Sequence, residues 1–380
     1  MKIIQISPAY KPAYVYGGPT VSVALLCESL VKLNLDLRVF TTTANGELDF
    51  ESDETPNLVD KVSVKYFKRL WGGKMHLSVS LLKELLYSTS SKDVYHIHSW
   101  WNATAVLSAL VGVIRGNRII LSPRGMLTPY SVTNGRSWFK KMFQAIIGRW
   151  ILNQCYLHVT TEKEKTDVLN FVSHKRITII PNLAREPSSM SLRNMTQNEK
   201  SSVLRLLFLS RIEKKKGIEL LLEALSRTNF LWHLTIAGTG DKQYVKYLQL
   251  EVKRLKLQES ISWIGFVDAD DKIGVFLKHD LLVLFSHNEN FANVVVESLS
   301  SGLPVVISSG VGLASFVLEH NLGWVSENEP TSLVTILELA ASDSRKRELI
   351  NKNAPELIKK YFNEQELSEK YLKLYMSYER

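Results

Sequence analysis

The segment SHNENFANVVVESLSSGLPVV, residues 286–306, contains the strongest fold signal in this chain. A buried strand is predicted just before it, and a helix is predicted over 292–300. Glu289 lies in the intervening loop, and Glu297 lies eight positions later within the helix. Backbone N–H groups at the start of a helix, here 291–294, can bind a phosphate. The carboxylate spacing alone is equally typical of a capping glutamate followed by a solvent-facing one.

Short β-rich runs alternate with helical patterns on both sides of this segment. This alternation predicts βαβ units and mostly parallel sheets, whose ligands bind at the carboxyl ends of the strands. The predicted strands are 2–7, 37–42, 62–67, 94–98, 119–122, 156–160, 177–180, 204–209, 233–237, 261–264, 281–284 and 304–307. The predicted helices are 20–32, 77–86, 104–114, 217–226, 244–255, 292–300 and the tail 363–380.

A chain of 380 residues exceeds the size at which one hydrophobic core usually stops growing, so two domains are expected. The polar, aperiodic stretch 183–202 is interpreted as the linker between domains 1–182 and 203–362. We therefore predict an α/β fold of two doubly wound, Rossmann-like domains that face a central cleft.

The excess of basic over acidic residues is confined to the first half of the chain. Residues 1–182 contain 22 Lys and Arg against 13 Asp and Glu, whereas the remainder contains 25 of each. This asymmetry indicates an anionic partner for the first half, such as a membrane surface or a phosphorylated acceptor. Cys27 and Cys155 lack CxxC spacing, and no secretion signal is apparent, so we expect a cytoplasmic protein.

Two further loops contain residues that suit a diphosphate. Arg211 and Lys216 lie in SRIEKKKG, residues 210–217, between a predicted strand and a predicted helix. Arginine binds phosphate through a planar fork and lysine as a compact charge, although a basic loop is more often solvated surface. Gly17 and Gly18 follow the first strand and allow close backbone approach, but they lack a full G-x-G-x-x-G.

Residues 289–306 resemble the E-x7-E segment of the family-4 retaining glycosyltransferases, including the Gly-x-Pro-Val that follows it. Ala292 stands where that family more often has glycine. The loop 210–217 is similar to the family's R-x4-K-G loop, with Arg211 and Lys216 at the matching positions. Gly17 and Gly18 resemble its N-terminal glycine loop, and the resemblance extends over nearly the whole chain.

The resemblance implies the GT-B fold, with the acceptor mainly on the first domain and a nucleotide-sugar donor mainly on the second. Arg211 and Lys216 would neutralise the leaving diphosphate, so that neither a metal nor a cofactor is expected. Glu297 would hold the ribose, and Glu289 would orient the donor sugar. The implied reaction retains anomeric configuration, and the implied acceptor is a glycan or a lipid-linked sugar in cell-surface polysaccharide synthesis.

The resemblance also assigns roles outside these motifs. The amides of Asn293 and Val294 would assist the cations, and His98 would lie beside the donor sugar. SPRGML, residues 122–127, looks like a segment of a subgroup of these enzymes and places Arg124 as an acceptor-side cation. The C-terminal helix, 363–380, is expected to cross back onto the first domain.

Two patterns were weighed as metal sites. His96 and His98 share one face of a predicted strand, but no third ligand is in view. Asp268 and Asp270 spell DxD, a match that is frequent by chance and that here follows a strand of the second Rossmann-like half. We therefore predict no metal site.

Basic and aromatic residues are interleaved over 134–152, as in a helix that lies on an anionic bilayer. A helix that buries its aromatics in the core is an equally good interpretation. Our hypothesis is peripheral association with the inner face of a membrane. No nucleic-acid partner is expected, because the basic residues follow no binding motif for DNA or RNA.

Two other classes of function share parts of this pattern. A GT-B-type epimerase or hydrolase of nucleotide sugars would use the same cations but would consume donor without an acceptor. A non-catalytic carbohydrate- or membrane-binding protein would need only the basic first half.

Overall fold

The computed structural model describes residues 2–70, 73, 75–129, 131, 142–173, 176–184 and 202–377. Most of the predicted linker, and the part of the predicted basic helix up to residue 141, lie outside these ranges. The chain divides into two compact units. Unit 1 is Met1–Leu183 with Glu364–Arg380, and unit 2 is Ala184–Asn363.

Unit 1 contains an eight-stranded sheet in the order β10-β9-β8-β7-β1-β2-β6-β5, which is parallel except for the β5–β6 pair. A separate hairpin pairs β3 with β4. The strands are β1 (Ile3–Ser7), β2 (Leu37–Thr42), β3 (Ala44–Asn45), β4 (Leu48–Asp49), β5 (Pro56–Val59), β6 (Val62–Phe67), β7 (Val94–His98), β8 (Arg118–Ser122), β9 (Tyr156–Val159) and β10 (Ile177–Ile179).

Helices follow the strands of unit 1, and short polar side chains cap several of them. Ser78, Asn102 and Thr161 each accept a hydrogen bond from a first-turn N–H group, which satisfies donors that the helix leaves unpaired. The helices are α1 (Gly18–Val31), α2 (Val79–Tyr87), α3 (Ala103–Arg115), a π-helical turn at Gln144–Gly148, α4 (Arg149–Gln154) and α5 (Glu162–Leu169).

Unit 2 contains a six-stranded, wholly parallel sheet in the order β13-β12-β11-β14-β15-β16. Its central strands are buried on both faces, which explains their continuous apolar sequences. The strands are β11 (Leu204–Leu209), β12 (Trp232–Ala237), β13 (Ile261–Gly265), β14 (Leu281–Leu284), β15 (Val305–Ser308) and β16 (Gly323–Ser326).

Seven α-helices connect and extend the strands of unit 2 within its described residues, and a short 3-10 turn at Lys214–Lys216 precedes the first of them. They are α6 (Ile218–Leu225), α7 (Lys242–Arg254), α8 (Lys272–Leu277), α9 (Asn293–Ser300), α10 (Ala314–Glu319), α11 (Pro330–Ser342) and α12 (Ser344–Tyr361).

The last helix, α13 (Glu364–Met376), packs within unit 1 against α1. Its Ser368 hydroxyl lies 2.6 Å from the Ser29 hydroxyl, and both residues are buried. Leu367, Tyr371 and Tyr375 are also buried on the same face of the helix. Residues separated by most of the chain therefore share one core.

The predicted fold class of two Rossmann-like parallel-sheet domains is confirmed. The strands β2, β6, β7, β11 and β14 begin and end at the predicted residues. The short strands β3 to β5, the strand β16 and the helices α5, α8 and α10 to α12 were not predicted. No helix in the described part of the chain combines the length and apolarity needed to cross a membrane.

Candidate functional site

The strand orders place the predicted site residues at topological switch points. In unit 2 the chain leaves β11 toward β12 on one side and returns through β14 on the other, so the connections diverge between β11 and β14. Lys216 lies in the loop after β11, and Glu289 lies in the loop after β14. Such a divergence opens a crevice at the carboxyl ends of the strands, where ligands bind in open α/β sheets.

Lys216 and Glu289 form an ion pair between Nζ and Oε2 across this switch point. Their side chains are only 8% and 18% exposed. Burial by itself would raise the pKa of Glu289, but nearby cations, Lys216 foremost, outweigh it and hold that pKa below its ordinary value. Burial lowers the pKa of Lys216, and Glu289 offsets part of that effect. The ion pair thus favours the carboxylate form of Glu289 in spite of its burial.

Glu289 is held from both sides by backbone. Its N–H donates to the Gly310 carbonyl at 3.0 Å, and its carbonyl accepts from the Gly312 N–H at 2.8 Å. These bonds join the loop after β14 to the loop after β15. The carboxylate thus projects from a segment that two strand ends fix in place.

Two glycines allow the loops after β11, β12 and β14 to touch. A Cβ on Gly217, at φ +67°, would lie 2.1 Å from the Phe285 carbonyl oxygen. A Cβ on Gly238, at φ +138°, would lie 1.9 Å from the Ser210 carbonyl oxygen. Both distances are impossible for a real side chain. Gly238 was not singled out in the sequence, although it directly follows a predicted strand.

The other predicted donor residues of unit 2 have acidic or basic partners. Arg211 Nη1 lies 2.6 Å from Glu213 Oε1, and Arg211 is also among the cations that lower the pKa of Glu289. Glu297 Oε2 accepts a hydrogen bond of 2.7 Å from Lys272 Nζ, a residue that sequence reasoning missed. Lys272 begins α8 and lies 25 positions before Glu297, a separation that carries no local pattern.

The helix that contains Glu297 begins with strained backbone. Ala292, the N-cap of α9, has φ +67° and ψ +74°, a left-handed conformation that alanine rarely adopts. Asn293 and Val294 are the first two residues of α9.

The predicted site residues of unit 1 also lie at a topological switch point. Its connections diverge between β1 and β7, and Gly17 and His98 come after these two strands. Gly17 caps α1 with φ +68° and ψ −135°, and Gly18 is the first residue of that helix. His98 is buried at the end of β7.

A chain of buried hydrogen bonds, here called the polar chain, begins at Arg124 after β8. Arg124 Nε donates to His98 Nδ1 at 3.2 Å, and the other ring nitrogen, Nε2, lies 2.7 Å from Gln5 Oε1. Gln5 Nε2 then donates to the Tyr375 hydroxyl of α13 at 3.0 Å. Both nitrogens of the His98 ring are therefore engaged within unit 1.

The polar chain continues from α13 back into the sheet. The Tyr375 hydroxyl lies 2.8 Å from His96 Nδ1, and His96 Nε2 lies 2.7 Å from Ser122 Oγ. Ser122 Oγ lies 2.6 Å from His158 Nδ1, and His158 Nε2 lies 2.9 Å from the Ile180 carbonyl. The polar chain ends at this carbonyl and at the Tyr371 hydroxyl of α13, which lies 3.1 Å from the same His158 Nε2.

The guanidinium at the start of the polar chain fixes the tautomer of His98. A guanidinium only donates, and a carbonyl only accepts. His98 therefore accepts at Nδ1, and with neutral imidazoles the remaining bonds form one series in which His96 and His158 also accept at Nδ1 and donate from Nε2–H. Burial agrees with this assignment, because it lowers the pKa of His96 and His98 well below the ordinary value and that of His158 to about 3.

Neither pattern weighed as a metal site forms a cluster of ligands. His96 and His98 use their ring nitrogens in the polar chain, and the carbonyl of Asp268 accepts from the N–H groups of Asp271 and Lys272. Across the described ranges, no group of three His, Cys, Asp or Glu side chains is arranged to hold a metal ion.

Two family models together match most of the chain. The model described as Glycosyltransferase Family 4 matches residues 16–184, and the one described as Glycosyl transferases group 1 matches residues 190–357.

Individual relatives match shorter parts of the chain than the two family models do together. An uncharacterized glycosyltransferase of Methanocaldococcus jannaschii is 34% identical over 155 residues, which are 39% of this chain and 38% of that protein. The amylovoran biosynthesis glycosyltransferase AmsK of Erwinia amylovora is 28% identical over 145 residues, 35% of each chain. The chain thus matches little more than a third of either relative. The structure of Anabaena HepE in complex with UDP and glucose aligns over 100% of both chains with 18% identity and a TM-score of 0.75, which concerns the fold alone.

We predict that acid destabilises unit 1 through the three neutral histidines. Below about pH 6.5 the unfolded chain binds a proton at each imidazole, whereas the folded chain does not, so stability falls as pH falls. For His158 this continues down to about pH 3. In His158→Gln, the amide can accept from Ser122 and donate to Ile180 without titrating. The free energy of unfolding of this variant, measured by urea titration between pH 7 and pH 5, should fall less steeply with decreasing pH than that of the wild type. The two slopes should differ by up to about 1.4 kcal/mol per pH unit. Identical slopes would rule out a neutral, non-titrating His158.

We further predict that Ala292→Gly raises the free energy of unfolding by about 0.5–1 kcal/mol, because glycine relieves the left-handed strain. Ala341→Gly within α11 is the matched control and should lower it by about the same amount. Thermal and urea unfolding of both variants measures the difference. A loss of stability in Ala292→Gly equal to that of the control would contradict strain at this position.

Proposed function

The chain belongs to the family 4 glycosyltransferases, and on this premise we propose that it transfers a sugar from a nucleotide-diphosphate sugar to a glycan or lipid-linked acceptor. The observation that carries this proposal is the ion pair of Lys216 with Glu289 at the switch point of unit 2. The buried cation suits the diphosphate at one end of the reacting bond. The buried carboxylate suits the sugar at the other end.

In the proposed reaction, the bond between the anomeric carbon and the diphosphate oxygen breaks, and the electron pair leaves with the diphosphate. Lys216 and Arg211 stabilise that developing charge, with help from the first N–H groups of α9. An acceptor hydroxyl attacks the anomeric carbon from the same face and gives its proton to the departing phosphate oxygen. Configuration is then retained, and no metal or cofactor is required, because the side-chain cations supply the positive charge.

The carboxylates have separate parts in this proposal. Glu289 orients the hydroxyls of the donor sugar, and Glu297 accepts from the ribose hydroxyls. Each carboxylate is paired with a lysine, Glu289 with Lys216 and Glu297 with Lys272. These lysines position the carboxylates, and the donor replaces or shares their contacts when it binds.

The relatives favour a place in polysaccharide assembly. AmsK is named for amylovoran biosynthesis, and HepE is described with UDP and glucose bound. We therefore propose cell-surface polysaccharide synthesis as the role, with UDP-sugars as the first donors to test.

A panel of UDP-, GDP- and ADP-sugars tests the donor by thermal shift. One nucleotide class should raise the melting temperature, since a ligand at 100 times its Kd adds about 2.7 kcal/mol to stability. Lys216→Ala should abolish the shift and lower turnover, measured as nucleoside diphosphate release with a crude glycan and lipid fraction, by about 10²–10³-fold. Lys214→Ala, the control from the same loop, should retain both. Near-wild-type turnover in a folded Lys216→Ala variant would refute the role of this lysine.

We also propose that unit 1 contacts an anionic membrane through residues 142–150. Gln144 and Gly148 face inward, and Trp100 Nε1 donates to Gln144 Oε1 at 3.1 Å. The outward face exposes Ile146 by 67% and Trp150 by 48%. Exposed apolar side chains in residues 1–182, the part of the chain with the basic excess, suit the boundary between lipid headgroups and acyl chains. The residues 132–141, which include Lys140 and Lys141, lie outside the described ranges.

Vesicle sedimentation tests this surface. At low salt the protein should bind phosphatidylcholine vesicles that contain phosphatidylglycerol several times better than phosphatidylcholine alone, and high salt should weaken the binding. The double substitution Ile146→Ser with Trp150→Ser should reduce the bound fraction severalfold. Leu250→Ser with Leu318→Ser, which removes comparably exposed residues of unit 2, should not. Equal partition onto neutral and anionic vesicles would contradict the proposal.

A further inference from the structure

Arg124 is a cation whose hydrogen-bond partners among the described residues are all neutral. It follows β8 with backbone φ of +51° and is partly exposed. Its guanidinium donates to His98 Nδ1 at 3.2 Å, to Ser22 Oγ at 2.8 Å and to Asn182 Oδ1 at 3.2 Å. These three bonds use Nε and Nη1. Within the described part of the chain, Nη2 makes no hydrogen bond and Arg124 makes no ion pair.

The acidic side chain that acts on the Arg124 charge forms its hydrogen bonds with other groups. Glu164 attracts the Arg124 charge, but its carboxylate accepts from the N–H groups of Gly125 at 2.8 Å and Thr160 at 2.7 Å. It also accepts from the Thr160 hydroxyl at 3.0 Å. Glu164 is itself 2% exposed. The carboxylate therefore stabilises its own loop and does not form a close pair with the guanidinium.

The polar chain holds Arg124 in one orientation. His98 accepts from the guanidinium at Nδ1, because a guanidinium can only donate, and its Nε2 is held by Gln5. A neutral His98 cannot offset the charge, and neither can Ser22 or Asn182. A positioned guanidinium that pairs with no carboxylate among the described residues, and whose Nη2 N–H groups are unused by them, suits a planar or tetrahedral oxyanion.

We propose that Arg124 binds an anionic group of the acceptor, either a phosphate or a uronic-acid carboxylate. This inference rests on the proposed function, because it assumes that unit 1 receives an acceptor. The charge of the chain supports it, since the whole excess of basic residues lies in residues 1–182. The acceptor is accordingly an acidic glycan, or a sugar that is joined to a lipid through a phosphate. A neutral oligosaccharide is disfavoured.

The test introduces a carboxylate beside Arg124 by substitution. Ser22 is buried on α1 beside Nη1, so Ser22→Asp places a carboxylate next to Arg124. Ser22→Asn has the same size and no charge. If the guanidinium awaits an anion, Ser22→Asp should melt at a higher temperature than Ser22→Asn. A merely structural arginine, already satisfied by its neutral partners, would make the buried aspartate the less stable of the two.

Anion binding is then measured with the nucleoside diphosphate of the best donor present at saturation. Inorganic phosphate and glucuronate are titrated separately, with glucose as the neutral probe, and Arg38→Gln in the same unit controls for bulk salt effects. Ser22→Asn and Arg38→Gln should show stabilisation by phosphate, glucuronate or both, and Ser22→Asp and Arg124→Gln should lose it. A preference for one probe distinguishes a phosphate from a carboxylate acceptor.

Kinetics on acceptor fractions separated by anion exchange complete the test. The acidic fraction should support turnover, and Ser22→Asp should raise its KM at least tenfold over Ser22→Asn with donor KM within twofold. Equal acceptor KM values, turnover only with the neutral fraction, or a change in donor KM instead would overturn the inference. Failure of every nucleotide sugar to bind the wild-type protein would refute the proposed function itself, which is a different result.

Discussion

The contact between the loops after β11 and β14 is the constraint on which the site in unit 2 depends. Gly217 makes it possible, because any side chain there would collide with the Phe285 carbonyl. Lys216 and Glu289 meet across the same junction. Removing either partner would leave a buried charge, at a cost of about 3–5 kcal/mol, so the pair and the loop contact stabilise each other. The crevice at the switch point is thus preorganised before any ligand arrives.

This arrangement also explains how one site can hold two opposite charges until the donor binds. In the proposed reaction the Glu289 carboxylate takes the place that a phosphate would have beside Lys216, and the Lys216 ammonium takes the place that sugar hydroxyls would have beside Glu289. Glu297, one turn into α9, and Lys272, the first residue of α8, form a second such pair. A donor that carries both a diphosphate and hydroxyls would satisfy both partners at once, whereas free phosphate would satisfy only the cation. On this proposal the pairing favours the whole nucleotide sugar over inorganic anions.

The parts of the structure that follow from local pattern were predictable, and the parts that follow from distant contacts were not. Buried strands such as β11 and β14 have continuous apolar sequences between turn residues, and Glu289 and Glu297 lie within a single strand–loop–helix segment. The short edge strands β3 to β5 have no such period, and their pairing depends on neighbours. Lys272 approaches Glu297 through the packing of α8. Gln5, His96 and Tyr375 are joined across up to 370 residues, a connection that no spacing rule detects.

The polar chain makes the C-terminal helix part of the site in unit 1. Tyr375 of α13 joins the two halves of the polar chain, because its hydroxyl accepts from Gln5 and lies 2.8 Å from His96 Nδ1. Tyr371 of the same helix contacts His158 Nε2. Without the Tyr375 hydroxyl the polar chain would divide into two halves, and Gln5 Nε2 and His96 Nδ1 would each lose a hydrogen-bond partner. A buried polar group left without a partner costs about 1–3 kcal/mol. The buried polar groups of the sheet in unit 1 therefore depend on a helix that lies at the other end of the sequence.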